Sequence, residues 1–203
     1  MRFGSVPLDQ ALNAISAHSI RLNDCAIKKG ARLTSEDLAA LRAEGRDHVI
    51  VAQLEVDDIN EDQAAEALAA KLCGAAIRMD RPSTGRVNLF AQSAGVLRVD
   101  AARINALNAI DESVTFATLP DYRAVERGEM VATVKIIPFA VQKSVMDKTD
   151  AVIGATPLVT VHPFKSRKVA AISTLLPGLK PSVINKALAR SEERRVGKEC
   201  VRT

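Results

Sequence analysis

Lys165, Arg167, Lys168, Lys180, Lys186 and Arg190 place six positive charges, and no negative one, within residues 151–190. Threaded among them is a pattern of residue types able to hold an anion. Residues 169–172 (VAAI) form a short apolar run of the kind found in buried parallel strands. Residues 173–180 (STLLPGLK) make a polar, Gly-containing turn. Pro181 and Ser182 then open an amphipathic helix whose apolar face is Val183, Ile184, Ala187 and Leu188. Strand, loop and helix start, in that order, are the first half of a βα unit. The unpaired amides of the helix start and the positive end of its dipole face such a loop and favour a negative group there. The plainer reading of the same residues is a βα turn shaped by Gly178 and Pro181, with its lysines solvated.

Other chemistry-bearing residues are scattered. Cys25, Cys73 and Cys200 are odd in number and form no CxxC pair, which predicts free thiols in a reducing cytoplasm. His18, His48 and His162 are isolated from one another and offer zinc no ligand set. Asp57, Asp58, Glu61 and Asp62 lack the central Gly and terminal Glu of a calcium-binding EF-hand loop. They read instead as N-caps and dipole complements of the helix that follows. Asn105 and Asn108, three apart, share a helix face and read as solvent-facing, with a ligand-facing pair as the alternative. There is no Ser/His/Asp or Cys/His set, P-loop or GxGxxG, so no catalysis is expected of the isolated chain.

The elements that would position these residues follow from periodicity and punctuation. Pro7 reads as a first helical residue, with Leu8, Leu12 and Ile15 at helical spacing. Residues 18–22 and 26–30 read as strands around an Asn23-Asp24 turn. Thr34 is an N-cap with Asp37 placed to return the bond, Leu38 and Leu41 mark the buried face, and Gly45 supplies the stop. Residues 48–54 are a β-branched strand, and 63–72 an Ala-rich helix ended by Gly74. Short strands follow at 76–79, 86–91 and 96–99. Asp100 then caps a helix with Ile104 and Leu107 on its core face. Strands are predicted at 113–119 and 130–137, with a loop at 120–128 between them. Residues 141–154 resist assignment, a short helix at 144–148 or a linker both fitting.

Bulk composition sets limits. Hydrophobic residues make up 47% and charged residues 26%, as in globular proteins. No run approaches the roughly 18 apolar residues of a membrane span, and residues 1–10 lack a signal peptide's basic start and apolar core. Residues 1–150 carry 18 basic and 21 acidic side chains, so the net +4 comes from the C-terminal part. Aromatics are 3% of the chain, and none sits beside Lys180 or Lys186, which argues against nucleic-acid stacking.

Two segments carry a family resemblance. Residues 27–45, IKKGARLTSEDLAALRAEG, lead into the strand at 48–54. Residues 167–174, RKVAAIST, are followed by GLKPSVIN at 178–185. The first is similar to the KKGT-L-T-x-x-D-I pattern that precedes the cofactor domain of molybdopterin molybdenumtransferases. The second resembles that domain's entry, although residues 175–177 (LLP) depart from the family's G-D-E-L continuation. The order of pieces resembles bacterial molybdopterin-binding proteins in which an accessory region precedes the molybdopterin-binding domain. Residues 111–135 are also similar to small β-rich modules of the SAF or barrel-sandwich kind, which serve as binding, docking and spacer units.

The resemblance implies an α+β accessory region over 1–160, with a helix/strand part at about 1–74 and a β-rich part at about 75–140. The first βα unit of an α/β molybdopterin-binding domain follows at 166–190. Residues 191–203 read as a non-native tail, and the chain as an N-terminal fragment inactive on its own, although its parent would be a cofactor-biosynthesis transferase. The implied cofactor is molybdopterin, an anionic pterin. Ser173, Thr174, Gly178, Lys180, Ser182 and Asn185 would line its phosphate side, with Gly178 allowing close approach, Lys180 neutralising charge and Ser182 capping the helix. Expected partners are this pterin and either other cofactor-biosynthesis proteins or a second copy, with no membrane and no nucleic acid. Two alternatives stand beside this: a non-catalytic scaffold docking through the β-rich middle, and a sugar-acid dehydratase-type ligand module suggested by the SAF-like run.

Overall fold

A computed structural model describes residues 1–23, 25–167, 177–178 and 180–195, with side chains described up to 190. The chain divides into two compact units, Met1–Phe164 and Lys165–Thr203. The class is α+β, with helices set against small antiparallel sheets.

The first unit holds two hydrophobic cores. Its first lobe begins with β1 (Arg2–Pro7), a 3-10 turn at Leu8–Gln10, β2 (Ile15–Ser16), β3 (Ile20–Arg21) and β4 (Ala26–Ile27). It closes with α1 (Ser35–Ala43) and β5 (His48–Gln53). The helix predicted from Pro7 does not form. Residues 8–10 make only the 3-10 turn and Ile15–Ser16 pair with β5, while residues 2–7, ahead of them, pair with β5 along their whole length, from Arg2 opposite Gln53 to Pro7 opposite His48. Pro7 takes an extended backbone (φ −58°, ψ 148°), which its ring permits as readily as a helical one. Asn13 at φ 64° would break any helix crossing it. The Leu8, Ala11 and Ala14 side chains still reach the core, through a tight loop, while Leu12 points outward.

Local capping rules hold well here. The Thr34 hydroxyl accepts from the Asp37 amide at 3.2 Å, and the Asp37 carboxylate accepts from the Thr34 amide at 2.9 Å. That is the reciprocal box read from the sequence. Gly45, at φ 75°, ends α1 and donates to Arg42 O.

The second lobe runs β6 (Asp58–Asn60), α2 (Glu61–Leu72), β7 (Ile77–Met79), β8 (Arg86–Ala91), β9 (Gly95–Val99) and α3 (Ala101–Asn108). It continues with β10 (Val114–Thr118), β11 (Ala124–Val125), β12 (Met130–Ile136), β13 (Ala140–Gln142), α4 (Lys143–Ile153) and β14 (Val159–Pro163). One sheet has the order β10-β12-β8-β7, a second β11-β9-β14, and β6 pairs with β13. On α2, Ala64, Ala65, Leu68, Ala69 and Leu72 are all fully buried. Three alanines among them let the helix lie close across β8 and β12. Because α2 packs into this second core, the boundary between the cores falls between β5 and β6, not near residue 74.

Residues 141–154, unassigned from the sequence, supply β13 and then the three turns of α4. Val145, Met146, Thr149 and Ile153 form its buried stripe, and Thr149 hides the pattern because it reads as polar. Its hydroxyl donates to Met146 O at 2.7 Å, which makes burial tolerable.

In the second unit, α5 runs Pro181–Arg195. It therefore passes through residues 191–195, which the sequence reading sets apart as tail. Glu and Arg are good helix formers and extend it without needing an apolar face. The strand predicted at 169–172 lies outside the described residues. Among the described residues, no helix is long and apolar enough to cross a membrane.

Candidate functional site

Of the six residues predicted to line the anion loop, Ser173 and Thr174 lie outside the described residues. Gly178 sits at φ 88°, a left-handed turn that favours glycine, and a Cβ there would touch nothing within 4 Å. Two residues on, the Lys180 carbonyl accepts from the Val183 amide at 3.0 Å. Pro181 is the first residue of α5, so the cap position is Lys180. Ser182 thus lies inside the first turn and is not the cap expected from the sequence. Lys180, Ser182 and Asn185 are all exposed, the last two at the i, i+3 spacing of one face. No acidic residue stands in the first turn of α5. The local geometry is thus a left-handed turn feeding an uncompensated helix start beside a lysine.

A second constellation lies in the first unit, where its two lobes meet. A cavity of about 340 Å³ is lined by Lys29 and Gly30 after β4, Glu61 at the head of α2, Thr84 in the β7–β8 turn, and Lys135, Ile137 and Phe139 around the end of β12. Backbone and side-chain bonds hold the pieces together. Glu61 N donates to Phe139 O at 3.0 Å, Gly85 N to the Asp62 carboxylate at 2.7 Å, and Ile136 N to Gly85 O at 2.7 Å. Gly85 is buried at φ 70°, and a Cβ there would come within 2.7 Å of both Ile136 O and Glu61 Oε2. Only glycine lets this turn close over Glu61.

The electrostatics of the cavity are unusual for so small a volume. Burial pushes the Glu61 carboxyl up from its ordinary range. Lys135 pulls it back, Asp62 pushes it further up and Lys29 opposes that. Among the described residues, neither lysine forms an ion pair, and the Glu61 carboxylate accepts no hydrogen bond. Lys135 Nζ donates to the Thr84 carbonyl. Lys29 Nζ lies 5.5 Å from the centre of the Phe139 ring, which is itself stacked on Phe3 at 6.5 Å.

The remaining sequence candidates resolve into structural roles. Asn108 is not a ligand-facing side chain: its amide donates to Phe116 O at 2.9 Å, and its carbonyl oxygen accepts from Phe116 N at 2.8 Å. Asn105 is exposed. In the acidic run, Asn60 caps α2 through the Asp62 amide at 3.0 Å, Asp58 accepts from Glu55 N at 2.8 Å, and Asp62 holds Gly85. No group of three or more His, Cys, Asp or Glu able to hold a metal ion occurs among the described residues. A wider groove of about 410 Å³ on the first lobe is bordered by His18, Arg21, Arg46 and His48. Its Arg46 sits 3.9 Å from Glu44.

The sequence reading missed the cavity because each contributing residue has a sufficient local explanation. Lys29-Gly30 reads as a strand end, Thr84-Gly85 as a turn, Glu61 as a dipole complement and Lys135 as part of the strand at 130–137. The available signal was a set of charged residues beside turn glycines at 29–30, 61–62 and 84–85.

Residues 5–53 match a family model described as a domain of unknown function (DUF8806). That span is nearly the whole first lobe, including the Lys29-Gly30 wall of the cavity. No curated protein matches the chain, and no solved structure matches it.

Proposed function

We propose that the chain is a cytoplasmic molybdopterin-binding component of molybdenum cofactor biosynthesis, in which the loop ahead of α5 takes the phosphate end of the pterin. The observation carrying this reading is the left-handed turn at Gly178 running into a helix start with no acidic residue in its first turn. It lies in a segment holding six basic residues and no acidic one. A phosphate there meets the positive end of the helix dipole and the Lys180 ammonium together. The resemblance of residues 27–45 and 167–185 to molybdopterin-binding proteins names the pterin among possible anions.

The test is pterin binding by the whole chain, with bound pterin released, oxidised and measured by its fluorescence. The double substitution Lys180→Ala, Ser182→Ala is expected to weaken binding about tenfold or more, as loss of one or two charge-assisted bonds would. Unchanged pterin binding in that variant refutes the assignment. A docking role for the β-rich middle draws on a shallow apolar groove of about 160 Å³ formed by Ala117, Leu119, Met130 and Val131, where Met130 is half exposed. Partner capture by residues 1–164 without pterin affinity would favour that reading.

A further inference from the structure

We propose that the cavity between the two lobes of the first unit is a binding site for a small oxyanion-bearing molecule, a phosphate ester or a carboxylate, clamped between Lys29 and Lys135. The site goes beyond the pterin reading and is independent of it, since all its residues lie within Met1–Phe164.

Charge is the first argument. Two ammonium groups face one cavity, and among the described residues neither forms an ion pair with a carboxylate, although Glu61 lines the same cavity. Lysines that merely decorate a surface extend into water, whereas Lys135 is half-buried and tethered to the Thr84 carbonyl. That tether uses one of its three donors and leaves two for a ligand. Lys29 is positioned over the Phe139 ring, which reduces the freedom lost on binding.

Glu61 is the one carboxylate among the residues lining this cavity. Its carboxyl is sheltered beneath the Thr84-Gly85 turn and accepts no hydrogen bond from the described residues. Burial pushes its pKa up while Lys135 and Lys29 pull it down, so the charges of both lysines are felt at the same carboxyl. An oxyanion between the lysines would take a charge-assisted bond from each. Ile137 and Phe139 furnish an apolar wall for the ligand's carbon body.

Size bounds the ligand. At about 30 Å³ per molecule of water, the volume equals roughly eleven waters. A molecule of about a dozen non-hydrogen atoms fits, which excludes a dinucleotide. The architecture is specific to this purpose in one further respect: two turn glycines, Gly30 at φ 83° and Gly85 at φ 70°, flank Glu61 from opposite lobes.

The experiment is titration of the whole chain with inorganic phosphate, ribose 5-phosphate and succinate, followed by calorimetry and by amide chemical shifts. At least one probe is expected to bind saturably below about 10 mM. Phosphate-ester binding alone, or carboxylate binding alone, identifies which oxyanion the site selects. Lys29→Ala and Lys135→Ala are each expected to weaken that binding about tenfold or more, while Lys28→Ala, just outside the cavity, changes it less than about twofold. Lys180→Ala with Ser182→Ala should leave it intact, so this proposal and the pterin reading fail separately. If Lys135→Ala does not fold, Lys29→Ala and the rescuing Lys29→Arg decide the matter, because Lys29 is exposed and its loss leaves the core intact. The proposal is overturned if no probe saturates, or if binding survives loss of Lys29.

Discussion

Substituting Asn108 by alanine removes two hydrogen bonds at once from the outer edge of β10. That strand is the first in the order β10-β12-β8-β7, so the Phe116 amide and carbonyl facing away from β12 have no strand to pair with. The Asn108 side chain satisfies both, at 2.8 and 2.9 Å. Two such bonds are worth about 1–3 kcal/mol together. Alanine is the better helix former by about 0.5 kcal/mol, which offsets part of the loss. The expected net is a destabilisation of about 0.5–2.5 kcal/mol, or a fall in Tm of roughly 2–8 °C for a unit of this size. Asn105→Ala provides the reference, because it makes the same propensity change without touching Phe116. It should be neutral or slightly stabilising. With no Trp and a single Tyr in the chain, urea and thermal unfolding are best followed by far-UV circular dichroism. Equal stability of the two variants would refute the claim that Asn108 supports the strand edge.

Three further outcomes follow from the structure. Gly85→Ala should destabilise the first unit by about 2–4 kcal/mol, since left-handed backbone alone costs an L-residue about 1–2 kcal/mol and the new Cβ also meets the Ile136 carbonyl; a loss under 1 kcal/mol in urea melts, as for an ordinary surface change, would contradict the close fit. For Glu61, whose folded carboxyl titrates above its unfolded one, stability falls as pH rises from the ordinary Glu range toward the raised folded value. Glu61→Gln should therefore gain stability relative to the parent as pH rises above the ordinary Glu range, and parallel pH–stability curves would sink this. In a Cys200→Ser background, a thiol reagent should modify exposed Cys25 promptly, whereas Cys73, half-buried with its thiol pushed up by burial, should react only slowly until the chain is unfolded; equal rates in the native state would refute the assignment.

The parts of this fold that the sequence revealed are those decided within a few residues. The Thr34–Asp37 box, the Gly45 stop, the Asp100 cap and strands β7 to β9 all depend on neighbours within one turn or one pleat. The opening helix failed because its rivals were remote: Ile15 and Ser16 pair with Ala52 and Val51, and Asn13 N donates to Leu33 O, and no local window contains those partners. Of helix α4 only a short helix at 144–148 could be offered, beside a linker, because the buried Thr149 interrupts its apolar stripe and its polarity is neutralised by a bond formed only within the helix. The cavity shows the same limit on the functional side. Its lysines, glutamate and glycines come from four separated segments, joined only once β13 pairs with β6 and the Thr84-Gly85 turn folds over α2.

Strand β14 gives the first unit a clock. Leu158, Val159 and Val161 are almost wholly buried, and β14 pairs with β9, placing Val159 opposite Val99. The same strand receives a bond from Gly74 N at Val159 O and returns one from Val161 N to Ala75 O. The second core therefore cannot be sealed until its last strand is made, about 60 residues after β9. At synthesis rates of about 5–20 residues per second, that leaves Leu97, Val99 and Leu72 without their cover for about 3–12 s. During that interval the unpaired side of β9 is the surface most in need of protection from other nascent chains.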